Sequence, residues 1–146
     1  PKSTEQYPEN RKTTLHVAPR HRGRLVFKRD ENENYKCVAC LMCEKACPNG
    51  TIRIASEMRE DPETGRKKRA LLDYQYDLGD CMFCQLCVNA CNFDAIKFTN
   101  DFENAVFDRS KLVLHLNEEV YKGGSLPNLI DGGANWTVGT FNTKKK

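Results

Sequence analysis

No apolar run in this chain approaches the roughly 18 residues that a membrane span requires, so contact with a bilayer is expected to be peripheral or through a partner. The glycine pairs Gly123-Gly124 and Gly132-Gly133 lack the spacing of a dinucleotide fingerprint or a P-loop, which removes any reason to assign a nucleotide site. Tryptophan occurs once and histidine three times, and no grouping of acid, base and nucleophile stands out. Bond-making catalysis by the chain alone is therefore not expected. No secretory leader is apparent, and cysteine is too sparse for a disulfide scaffold. The apolar share is 39% of 146 residues, which suits one domain with tails and a small core. Cysteine is missing from residues 1–36, 48–80 and 92–146.

All eight cysteines thus fall in two runs of one pattern, CxxCxxCxxxC. The first run is Cys37, Cys40, Cys43 and Cys47; the second is Cys81, Cys84, Cys87 and Cys91, each 44 residues after its counterpart. Two intervening residues let successive thiolates curl round one face of a cubane, with backbone N–H groups turned to its sulfides. This is the bacterial-type ligand set for two [4Fe–4S] clusters, in which the fourth cysteine of each run serves the other cluster. The expected ligands are Cys37, Cys40, Cys43 and Cys91 for cluster 1, and Cys81, Cys84, Cys87 and Cys47 for cluster 2. Structural zinc would accept four thiolates, but its sites pair two separated CxxC knuckles. Eight cysteines also allow 105 disulfide pairings, and a thioredoxin-like CxxC would need a βαβ setting that is not seen. Cluster ligation requires thiolates, hence a reducing compartment, and it supplies folding free energy that a small core lacks.

The intervening chain reads as a duplication. Arg24–Lys28 is expected as a strand, residues 30–34 as a turn, and Glu44–Cys47 as a helical turn stopped by Pro48. Thr51–Ala55 alternates, with Ile52 and Ile54 inward. Nine of the thirteen residues from Glu57 to Arg69 are charged, and Asp61-Pro62-Glu63-Thr64-Gly65 is a turn signal. The basic run Arg66-Lys67-Lys68-Arg69 resembles a nucleic-acid patch, but beside a hairpin tip it reads as a solvated loop or a contact for an acidic partner. Leu72, Tyr74 and Tyr76 alternate inward on the returning strand, and Ala95–Thr99 forms the last strand of the repeat. Asp108 is placed to cap a short helix running to Leu116, with His115 packed rather than ligating. The fold class is α+β, a duplicated two-[4Fe–4S] bacterial ferredoxin-like fold with extended N- and C-terminal arms. Its parts are a basic arm over 1–23, the two-cluster domain over 24–100, a helical extension over 101–116 and a Gly-rich tail over 117–146. Residues 1–29 carry eight Lys or Arg against Glu5 and Glu9, so the arm either stays disordered or orders along a partner. In the tail, Trp136 and Phe141 suggest anchoring on another surface.

Over residues 20–116 the sequence resembles the NuoI/TYKY-type iron–sulfur subunit of respiratory complex I and its photosynthetic relatives. The resemblance rests on Arg20-His21-Arg22-Gly23-Arg24, on Lys36-Cys37-Val38-Ala39-Cys40, and on Arg66–Asp77 leading into Cys81-Met82-Phe83-Cys84, with weaker support from Asp94-Ala95-Ile96 and Asn104 to Leu116. Gln85 stands where that family often has Gly, and Asn92 where it often has Pro. The resemblance implies an electron relay in the peripheral arm of a proton-translocating NADH:quinone oxidoreductase, passing electrons towards a terminal cluster and quinone. It implies an apolar shell of Val38, Leu41, Met42, Ile52, Met82, Phe83, Leu86, Ile96 and Phe98 around the clusters. The partners would be other subunits of a membrane-bound oxidoreductase and not nucleic acid. The location would be the cytoplasmic side of the bacterial inner membrane, or its matrix or stromal equivalent. A relay subunit of a membrane-bound [NiFe] hydrogenase and a free two-cluster ferredoxin share the cysteine frame, and a structural zinc protein is the alternative from another class.

Overall fold

In the computed structural model, residues 4–32, 34–62 and 64–118 are described. The chain runs β1 (Arg24–Phe27), α1 (Met42–Ala46), β2 (Ile52–Glu60), β3 (Lys67–Asp77), α2 (Leu86–Asn89), β4 (Ile96–Thr99), a 3-10 turn (Arg109–Leu112) and β5 (Val113–His115). Strand, cysteine loop, short helix and strand occur twice. The halves join crosswise: β1 pairs antiparallel with β4, and β2 with β3, to which β5 adds on the outer edge. The first strand of one half therefore closes on the last strand of the other.

β2 and β3 form a long hairpin whose charged outer end is exposed and whose inner end is core. At the tip Asp61 N–H donates to Arg66, and Lys68 pairs with Asp61. The basic run is thus the solvated arm of a hairpin, as its turn signal implied. At the inner end Tyr76 lies opposite Ile52 and Tyr74 opposite Ile54, so all four share one face. The register slips where Ala55 pairs with Asp73 but Ser56 with Leu71. Leu72 is the surplus residue of this bulge, and the slip turns it outward to 46% exposure, against the alternation that would have buried it. Leu71 packs on the core instead.

The core gathers Leu25, Phe27, Ile52, Tyr74, Tyr76, Leu78, Ile96, Leu114 and Leu116, with Cys43 and Cys87 among them. Phe27 meets Tyr74 edge-on at 4.9 Å between ring centres. Asp108 caps as expected, its carboxylate accepting from Ser110 N–H at 2.9 Å. The helix it starts ends at Leu112, however, and the residues up to His115 form β5. β-Branched Val113 suits a strand, and the open edge of β3 offers backbone partners that let Leu114 bury opposite Tyr76. His115 is half-exposed and its Nδ1 lies 2.9 Å from Asp73. Asn117 closes the edge, accepting from Tyr74 N–H and donating to the Leu72 carbonyl.

The described part of the basic arm is tied to its own chain. Turns span residues 7–14, Val17 is buried, and Asn100 donates to the Ala18 carbonyl at 3.1 Å. Glu103, nearly buried, receives Arg11 at 2.8 and 2.9 Å and the Tyr7 hydroxyl. At Gly23 the arm enters β1 so close to the turn after β4 that a Cβ would stand 2.0 Å from the Asp101 carbonyl oxygen. The tail from residue 119 on, with Trp136 and Phe141, lies outside the described residues. No helix among the described residues is long and apolar enough to cross a membrane.

Candidate iron–sulfur site

The two cysteine loops have the same backbone. Ala39 and Leu41 in the first loop take left-handed φ values of 51° and 66°, and Phe83 and Gln85, 44 residues on, take 54° and 71°. Gly50 and Asp94 repeat the pairing at 64° and 49°. A left-handed conformation costs a non-glycine residue about 1–2 kcal/mol, so five such residues in two short loops mark strain held for a purpose. The turns direct peptide N–H groups at sulfur. Ala39 donates to Cys37 Sγ at 3.4 Å and Phe83 to Cys81 Sγ at 3.3 Å. Thr51 donates to Cys47 Sγ at 3.4 Å and Ala95 to Cys91 Sγ at 3.3 Å. The residues in the strained turns are mostly not glycine, so composition carried no sign of them. The 44-residue repeat was the signal that could have paired them.

The eight cysteines are free thiols in two groups, each around a cavity. Cys37, Cys40, Cys43 and Cys91 line one, with Val38, Ile54, Tyr74, Phe93, Ala95 and Ile96. Cys47, Cys81, Cys84 and Cys87 line another, with Thr51, Ile52, Tyr76, Met82 and Phe98. The last cysteine of each run thus stands in the cavity of the other run. The crossing follows from topology, because α1 and α2 pack together and carry each run's end across to the opposite half. Among the described residues no three His, Cys, Asp or Glu side chains converge as they would on a single metal ion; the thiols ring a wider space.

Burial pushes the Cys37 and Cys43 thiols up, and pushes Cys87 up to about 12. Cys47 moves the other way. Burial raises it too, but the Thr51 hydroxyl and the N–H groups of residues 49–51 outweigh that and hold it below the ordinary thiol value. Iron must therefore displace protons held more tightly than usual from Cys37, Cys43 and Cys87.

Two tyrosines stand between the cavities, two residues apart on one face of β3. Tyr74 reaches the first and donates its hydroxyl to Cys43 Sγ at 3.3 Å. Tyr76 reaches the second, where its buried hydroxyl faces Cys81 without closing a well-formed hydrogen bond. A buried donor aimed into a ring of four soft sulfur ligands fits an iron–sulfur cluster, whose sulfur atoms accept hydrogen bonds. Of the expected apolar shell, Ile52 and Ile96 are buried and Leu41, Phe83 and Phe98 are partly so. Val38 and Met82 line the first and second cavity although their side chains are partly open to solvent, whereas Met42 and Leu86 are exposed and line neither.

Strained donor loops, two four-thiol cavities and a duplicated α+β frame define a two-cluster iron–sulfur protein of ferredoxin-like fold. A 4Fe-4S dicluster domain is matched over residues 36–95. NADH-quinone oxidoreductase subunit I 2 of Symbiobacterium thermophilum is 37% identical over 119 residues, covering 81% of this chain and 47% of that protein. Subunit I 1 of Koribacter versatilis is 38% identical over 111 residues, 76% of this chain and 68% of the relative. Subunit I 2 of Geobacter metallireducens is 36% identical over 110 residues, 75% of this chain and 77% of the relative. The chain thus spans about half of the first relative and rather more of the other two. It belongs to the NADH-quinone oxidoreductase subunit I family, and it holds two [4Fe–4S] clusters.

Proposed function

We propose that this chain is the two-cluster electron relay in the peripheral arm of a complex I-type NADH:quinone oxidoreductase. One cluster is held by Cys37, Cys40, Cys43 and Cys91, the other by Cys81, Cys84, Cys87 and Cys47. The observation that carries the reading is the exchange of the fourth cysteine between the two cavities. One core thereby holds both clusters, as transfer between them requires. The bound clusters supply the one-electron chemistry, and the chain's own residues position them, donate hydrogen bonds to sulfur and limit water. Partners are the neighbouring subunits that bring electrons from the NADH side and pass them towards quinone. The chain lies on the cytoplasmic side of the inner membrane, or the matrix or stromal equivalent, without spanning it. Of the two arms, the basic N-terminal one presents Arg20 and Arg22 outward as a contact for those subunits.

Iron and acid-labile sulfide should each reach about eight per chain. Cys91→Ser should damage the cluster held by the first run, and Cys47→Ser the one held by the second, as read by EPR of the reduced protein. The reverse pattern would overturn the ligand assignment, and two zinc atoms without visible absorbance would overturn the function.

A further inference from the structure

The two halves repeat each other in the positive-φ turns and in the N–H groups that donate to Cys37 and Cys81 and to Cys47 and Cys91, but Tyr74 and Tyr76 have no such symmetry, since both come from β3. Their spacing of two puts both side chains on one face of the strand, and each enters a different four-cysteine cavity. Their surroundings differ. The Tyr74 hydroxyl already donates to Cys43 Sγ. The Tyr76 hydroxyl, on a residue 1% exposed, is buried with no protein acceptor in hydrogen-bonding geometry. Such a donor is costly unless something in the cavity accepts from it.

We propose that Tyr76 donates its hydroxyl to a sulfur atom of the cluster held by Cys47, Cys81, Cys84 and Cys87, and that Tyr74 serves the other cluster through Cys43. The inference rests on the two-cluster reading above. Both phenols keep their protons, as a tyrosine with an ordinary pKa of about 10 does near neutral pH. Reduction adds one electron to a cluster and makes or breaks no bond to the tyrosine. A hydrogen-bond donor favours the more negative reduced form, so it raises the midpoint potential. β3 thus sets the potentials of both clusters, each through its own tyrosine.

The test is an EPR-monitored redox titration of the full chain with both clusters in place, comparing wild type with Tyr76→Phe and Tyr74→Phe. Loss of the Tyr76 hydroxyl should weaken reduction of one cluster about tenfold, a fall of about 59 mV for a one-electron couple, and leave the other unmoved. Tyr74→Phe should lower the other one. Hyperfine spectroscopy of reduced wild type in deuterated buffer should show an exchangeable proton coupled to the second cluster, absent from Tyr76→Phe. If Tyr76→Phe loses its clusters, site-specific 3-fluorotyrosine at position 76, a stronger donor of nearly the same shape, should raise the same midpoint. Full iron and sulfide content with neither midpoint moved, or both variants moving the same cluster, overturns the proposal alone. Iron and sulfide far below eight per chain in the wild type would instead overturn the two-cluster reading.

Discussion

Gly23 is where a single methyl group should do the most damage away from the clusters. The ideal Cβ position at this residue lies 2.0 Å from the Asp101 carbonyl oxygen, 2.5 Å from its carbonyl carbon and 3.0 Å from its nitrogen. All three are backbone atoms, so no side chain can swing aside. Gly23 N–H also donates to Thr99 at 2.7 Å, and Arg24 pairs with Thr99 in the β1–β4 ladder. To admit an alanine, β1 must move off β4 or the turn at residues 100–104 must open. Overpacking costs typically about 1–3 kcal/mol when side chains can adjust; against rigid backbone the upper end applies, so Gly23→Ala should cost about 3 kcal/mol. The control is Gly65→Ala at the hairpin tip, where φ is 62° and nothing lies within 4 Å of the new Cβ. Only the left-handed strain counts there, about 1 kcal/mol. Because cluster loss makes unfolding irreversible, the readout is the rate at which visible absorbance bleaches in urea. A difference of about 2 kcal/mol between the variants corresponds to about 30-fold if it appears in the unfolding rate. Equal bleaching of the two would refute the close-contact reasoning.

Ile52→Ala removes a fully buried side chain that pairs with Tyr76 and lines the second cavity. It should cost about 2–5 kcal/mol and lower the temperature of cluster loss; an unchanged thermal bleaching curve would show that the side chain does not support the core. Glu103→Gln loosens the site that receives Arg11 and Tyr7. Trypsin should then cut after Arg11 or Lys12 sooner than in wild type while cluster absorbance holds, and unchanged cleavage would remove Glu103 as the anchor of the arm. Cluster reassembly from iron and sulfide should be slower at pH 6.5 than at 8.5. The folded-state thiols of Cys37, Cys43 and Cys87 are raised, so their proton-bound form dominates across this range and a lower pH makes each deprotonation by iron harder. A pH-independent rate would refute that order of events.

The ligand spacing could be read without any coordinates, because CxxCxxC places three thiolates within reach of one cluster by local geometry alone. The same was true of the duplication, carried by a constant offset, of β1 and β4, carried by short strand-forming stretches, and of the start of β2, carried by alternation over Thr51–Ala55. Contacts between distant segments were not readable in that way. The bulge that expelled Leu72 depends on how β2 and β3 meet, and β5 replaced a helix only because β3 had an open edge to fill. Tyr74 and Tyr76 passed for ordinary core residues, since nothing along the strand says that two cavities lie under its face. The strained turns at Ala39, Leu41, Phe83, Gln85 and Asp94 are held against local preference by the packing around them. Neighbour-to-neighbour geometry thus accounts for the spacing of the thiols within each run. The environment those atoms share, including the buried hydroxyls beside them, arises from long-range packing that a linear pattern does not encode.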